Sequence, residues 1–148
     1  MDKPFYIFTT QSNGLRSHLT NEVVILSSNP IAPIGNPVIA KALWDTGATG
    51  SVITPELANQ AGLQVVDKTI VDTANGARES LVYKVAIILP NNVLVENVRV
   101  TEASLVGASV LIGMDIISRG DFAVSNFQGK TFFTFRMPSK ENIDFLQQ

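Results

Sequence analysis

Asp45, Thr46 and Gly47 are the residues of this chain whose types and order could do chemistry. Asp45 follows the apolar run Val38 to Trp44, so its carboxylate is expected at the end of a buried strand. A second carboxylate facing it could share a proton with it, leaving a group able to give or take a proton. Thr46 is β-branched and stiff at χ1, so its hydroxyl can be held in one direction to bond backbone across a symmetry axis. Gly47 allows a tight turn and leaves no side chain between the carboxylate and an approaching substrate. The tripeptide alone also reads as ordinary turn chemistry, with the aspartate capping its own backbone. Its surroundings decide between the two.

The stretch Ala42-Leu43-Trp44-Asp45-Thr46-Gly47-Ala48-Thr49-Gly50-Ser51-Val52-Ile53 resembles the active-site segment of the retropepsin-like aspartic peptidases. Downstream, Val110-Leu111-Ile112-Gly113-Met114-Asp115-Ile116-Ile117 resembles the family's second signature, an apolar strand ending in glycine and running into a short helix. Between them, Thr73-Ala74-Asn75-Gly76-Ala77 resembles the tip of the family's flap hairpin. The three occur in the family's order.

The resemblance implies Asp45 as the catalytic residue, with Thr46 and Gly47 supporting it. It implies substrate contacts from Ala48, Thr49 and Ile112 beside the carboxylate, and from Ala74, Asn75, Gly76 and Ala77 on a flap that closes over an extended peptide. Catalysis in this family uses two aspartates that share a proton and hold a water between them. The chain has one copy of the motif, so two chains are expected to pair about a two-fold axis, each giving one Asp45. No metal and no other cofactor is implied. Ala48 lacks the hydroxyl that Ser or Thr would offer the carboxylate, which predicts a pH optimum nearer neutral than in pepsin-like relatives.

Departures from the family are equally specific. Retroviral members pair an acidic residue of the active-site stretch with an arginine after the second-signature glycine; here Thr49 and Met114 stand in that neighbourhood. Trp44 replaces the usual aliphatic residue before the aspartate, which predicts altered subsites. Asp115 reads chiefly as a helix-start acid complementing the dipole, with support of the active-site loop as a second role. Retroviral members also interleave their terminal strands in the dimer. Phe5-Tyr6-Ile7-Phe8 and Phe132-Phe133-Thr134-Phe135 suit such an interface or a core, the latter being favoured for the second.

Positioning these residues requires an all-β frame. Strands are expected over 22–27 and 38–44, separated by a loop of breakers at Ser28-Asn29-Pro30 and Pro33 through Pro37. Thr54-Pro55-Glu56 reads as an N-cap, a first-position proline and an early acid, with Gly62 ending the short helix. Residues 69–74 and 78–89 form a hairpin through Asn75-Gly76, and Pro90-Asn91-Asn92 turns the chain into a strand over 93–100. A short strand at 110–112, a helical turn over 114–118 and strands at 122–125 and 131–135 complete a small closed β barrel with one or two short helices. The expected layout is an N-terminal extension at 1–21, a peptidase domain at 22–137 and a tail at 138–148.

Composition fits one domain. The chain has 148 residues, 45% hydrophobic and 16% charged, against about 25% charged in a typical domain. A net charge of −2 gives no basic footprint for nucleic acid. The longest aliphatic run, Val85 to Leu89, is far too short to span a membrane. Without cysteine there is neither disulfide nor thiolate chemistry. His18, the single histidine, reads as a solvated loop side chain. The N-terminus does not read as a secretory signal, so a cytoplasmic location is the default. The leading expectation is a homodimeric aspartic endopeptidase cutting extended, mainly hydrophobic segments. The alternative is an inactive peptide-binding or dimerisation module of the same fold.

Overall fold

The computed structural model describes residues 4–28 and 36–147. Ten strands and two short helices follow one another as β1 (Tyr6–Gln11), β2 (Leu19–Ser27), β3 (Val38–Trp44), β4 (Val52–Ile53), α1 (Pro55–Gln60), β5 (Val65–Thr73), β6 (Gly76–Leu89), β7 (Val93–Glu102), β8 (Val110–Ile112), α2 (Met114–Ile117), β9 (Asp121–Phe127) and β10 (Lys130–Met137). Most of the breaker-rich loop expected between β2 and β3, residues 29–35, lies outside the described residues.

Six strands close into a ring. The main sheet runs β2-β3-β8-β4-β7-β6-β5, and a further pairing of β2 with β6, Val24 to Ser27 against Ile88 to Val85, closes the first six of these strands on themselves. Closure removes edges that would otherwise invite pairing with other chains. β5 is left outside the ring, and among the described residues it pairs with β6 alone. Eight of its nine residues are exposed, so the β5–β6 hairpin stands off the barrel as a flap. Strand alternation fills the interior: Val23 and Ile25, Ala40 and Ala42, Val85 and Ile87, and Val93 and Val95 all point inward and are buried.

A second sheet, β1-β10-β9, packs on the barrel end that carries Trp44. Trp44 is 4% exposed and stacks on Phe122 with ring centroids 5.5 Å apart, while Phe8, Phe133 and Phe135 complete the aromatic cluster. Its indole N–H donates to Asn21 Oδ1 at 2.9 Å, which satisfies the polar end of a buried ring. Most of the Trp44 ring is thus core, while the residue also borders the opening that Asp45 and Thr46 line.

The terminal strands pair within the chain. β1, from the segment read as an extension, is antiparallel to β10, with Tyr6 opposite Met137 and Gln11 opposite Phe132. Phe133 and Phe135 are core, as favoured, and Phe8 joins them.

Arg136 and Asp121 face each other across β10 and β9, with Arg136 Nη2 2.7 Å from Asp121 Oδ2. Burial by itself would raise the Asp121 pKa. The backbone N–H of Lys140, the Ser139 hydroxyl and the Arg136 guanidinium outweigh it and hold the carboxyl well below its ordinary range. A depressed folded-state pKa contributes stability that is present above the unfolded value near about 4 and is lost as pH falls through the folded value. Asp121→Asn should therefore lower Tm by several degrees at pH 7, and the gap from wild type should narrow below about pH 4. Thermal melts across that range check this; a gap that widens in acid would contradict it.

Candidate active site

β3 and β8 run parallel, with Trp44 beside Ile112, and the pairing carries on one step as the Asp45 N–H donates to Ile112 O at 2.9 Å. That bond delivers the carboxylate to the end of the barrel. The chain then turns sharply. The Gly47 N–H donates to Asp45 Oδ1 at 2.8 Å, and the Ala48 N–H to Asp45 O at 3.2 Å. One carboxylate oxygen is thus oriented by the turn that follows it.

The loop is fixed from below by the corner between β8 and α2. Ser51, 1% exposed, donates its N–H and its hydroxyl to the two carboxylate oxygens of Asp115, at 3.1 and 2.7 Å. Its Oγ accepts the Gly113 N–H at 3.1 Å, and the Met114 N–H donates to Ala48 O at 2.8 Å. Asp115 also accepts the Ile116 N–H, as a helix-start acid should. Supporting the active-site loop, the lesser of the two roles read from sequence, is its closest contact. The retroviral-type acid–arginine link is absent at Thr49 and Met114, and this backbone and carboxylate clamp secures the loop instead.

Gly113 is required by space. Its φ of −99° is open to any residue, but a Cβ there would lie 2.8 Å from Gly50 O and 2.9 Å from Ala48 O. The second signature and the active-site loop touch backbone to backbone.

Asp45 is half-buried and Thr46 exposed. Both line an opening of about 350 Å³ together with His18, Leu19, Trp44, Phe122 and Val124, and no other carboxylate lines it among the described residues. A cleft of about 440 Å³ continues on the far side of the loop, between Gly47, Ala48, Thr49 and Gly50 below and the flap above. The flap contributes Val71, Thr73, Arg78 and Ser80 to its lining. Ala74 to Ala77 sit beyond it at the exposed hairpin tip, where Gly76 at φ +105° supplies the turn and its carbonyl accepts the Thr73 hydroxyl at 2.7 Å. At the flap root the Tyr83 hydroxyl donates to Glu102; burial and this carboxylate push its pKa up to about 12.

Ile112, expected to touch substrate, is fully buried in the core. Its carbonyl is what serves the site, by receiving the Asp45 N–H. Ser51, Arg78 and Glu102 were not singled out from sequence. Strand alternation from the buried Val82 was the available signal for Arg78, whereas the Ser51–Asp115 contact spans 64 residues and leaves no local trace. Among the described residues no cluster of His, Cys, Asp and Glu could hold a metal, and no helix is long and apolar enough to cross a membrane.

Comparison with known structures places this architecture. EIAV protease, in complex with an inhibitor, superposes with a TM-score of 0.52 at 23% identity, covering 72% of this chain and 91% of that one. A retropepsin-like aspartic protease from Rickettsia conorii gives 0.47 at 18% identity over 83% of this chain and 98% of its own. The protease of simian foamy virus (mac) gives 0.48 at 19% identity over 68% and 92%. No curated protein matches the sequence. The profile of the gag-polyprotein putative aspartyl proteases matches residues 34–119, which run from β3 through α2 and hold the whole loop, flap and clamp. With the retropepsin barrel around it, that match over more than half the chain makes this protein a member of the gag-polyprotein putative aspartyl protease family.

Proposed function

We propose that the chain is an aspartic endopeptidase that works as a homodimer. The observation that carries this is the half-site itself: Asp45 is oriented at the barrel end, and its opening holds no second acid among the described residues. A two-fold axis beside Thr46 would bring two Asp45 carboxylates together, sharing one proton. The ionised one takes a proton from the water held between them as its oxygen attacks the scissile carbonyl carbon. The protonated one gives its proton to the carbonyl oxygen. The resulting gem-diol collapses with cleavage of the C–N bond, and a proton passes to the leaving amine. The substrate, extended and mainly hydrophobic, lies between the loop and the flap, where strand-like hydrogen bonding is available.

The open edge of β9 supports a second copy on this side. Among the described residues β9 is an unpaired rim of the small sheet, its Val124 and Phe127 are 40% and 66% exposed, and Val124 lines the same opening as Asp45. Two β9 edges meeting antiparallel would continue the sheet across the axis. Val124→Asp, which sets like charges against each other there, should shift the mass by light scattering from dimer towards monomer and lower activity per chain in parallel. Full hydrolysis by a strictly monomeric chain would refute the proposal.

A further inference from the structure

Resting on that reading, we propose that Arg78 makes the cleft select a carboxylate side chain in the substrate, at a position flanking the scissile bond. Along β6, Ser80 and Val82 are buried at 9% and 4%, so Arg78, two residues before Ser80, lies on the same inward face. Its partner across the hairpin, Val71, lines the cleft with it. Of the flap's other charges, Lys68 pairs with Glu79 at 3.5 Å and Asp67 with Arg99 of β7 at 2.7 Å, while Asp72, between the cleft-lining Val71 and Thr73, falls on the opposite face of the hairpin. Arg78 has no ion pair or hydrogen bond among the described residues. Glu102, the one acid lining the same cleft among the described residues, is engaged by the Tyr83 hydroxyl.

The rest of the lining is uncharged: Ala48, Val52 and Ala103 form its apolar part, beside glycine backbone and serine and threonine hydroxyls. An apolar wall with one unmatched guanidinium suits a side chain with a methylene stem and a carboxylate end, which Arg grips in a two-pronged geometry. Asp45 does not line this cleft, so the subsite lies beside the bond that is cut. Two-fold symmetry doubles it. An acidic residue should be favoured on each side of the scissile bond, and a peptide carrying both should be the best substrate.

The test uses matched fluorogenic peptides with Glu, Gln or Lys at each flanking position, cleaved by wild type, Arg78→Gln and Arg78→Glu. Wild type should favour Glu over Gln by about tenfold in kcat/KM per site, the size of a charge-assisted contact at an exposed position, and less at high salt. Arg78→Gln should lose the preference and Arg78→Glu should invert it toward Lys. Equal cleavage of Glu and Gln peptides by wild type, or an acidic preference kept by Arg78→Glu, would overturn the subsite. Fluorescence anisotropy on the same peptides separates this failure from that of the peptidase reading. Absence of cleavage with charge-selective binding that inverts in Arg78→Glu removes the catalysis and upholds the subsite; binding blind to charge removes the subsite.

Discussion

Asp45→Asn should lower kcat/KM for peptide hydrolysis by at least about 10⁴-fold and leave fold and dimer intact. A positioned acid or base contributes about 10²–10⁴-fold, and in a symmetric dimer this one substitution removes both. The amide can neither take the proton of the attacking water nor protonate the carbonyl oxygen, so no mixed state of the pair restores the step. The structural cost is small because Asn is isosteric. Its side-chain oxygen can still accept the Gly47 N–H that Asp45 Oδ1 accepts at 2.8 Å, and the main-chain bond to Ile112 O does not involve the side chain. Light scattering and circular dichroism should match wild type while turnover disappears. Hydrolysis at the wild-type rate would remove Asp45 from the chemistry.

Much of the frame was legible because its signals are local. Thr54 caps α1 by accepting the Leu57 N–H at 3.3 Å, Pro55 opens the helix and Gly62 follows it at φ +64°, as these residue types require. The Asn75-Gly76 hairpin and the bounds of β3 and β8 were equally plain. What the sequence hid is long-range. β1 reads as Tyr6-Ile7-Phe8 followed by the polar Thr9-Thr10-Gln11, a pattern that names no partner, and its pairing with β10, more than a hundred residues away, depends on the aromatic cluster around Trp44. Trp44 shows the same limit, since its place before Asp45 was plain but its stacking on Phe122, 78 residues away, was not. At the site, residue types located the loop, but its clamp depends on two segments meeting in space.

That clamp carries the second large effect. Gly113→Ala should destabilise the fold by about 2–3 kcal/mol and cut kcat by roughly a hundredfold, because the added methyl meets backbone and not the far end of a flexible side chain. Its Cβ at 2.8 Å from Gly50 O must push the active-site loop away from β8. Loop displacement then strains the Met114 N–H to Ala48 O bond and the Gly113 N–H to Ser51 Oγ bond together, and moves Gly47, which orients the Asp45 carboxylate. Asp115→Ala tests the same corner without a push. It strands the buried hydroxyl and N–H of Ser51, costing about 1–3 kcal/mol, and Asp115→Asn should recover part of that through its remaining oxygen. Both variants should lower Tm, but Gly113→Ala should lose more activity per degree, since it displaces the carboxylate whereas Asp115→Ala slackens its support. Thermal melts paired with single-turnover cleavage measure the difference. Wild-type kcat and Tm in Gly113→Ala would show that the loop is not held by this contact.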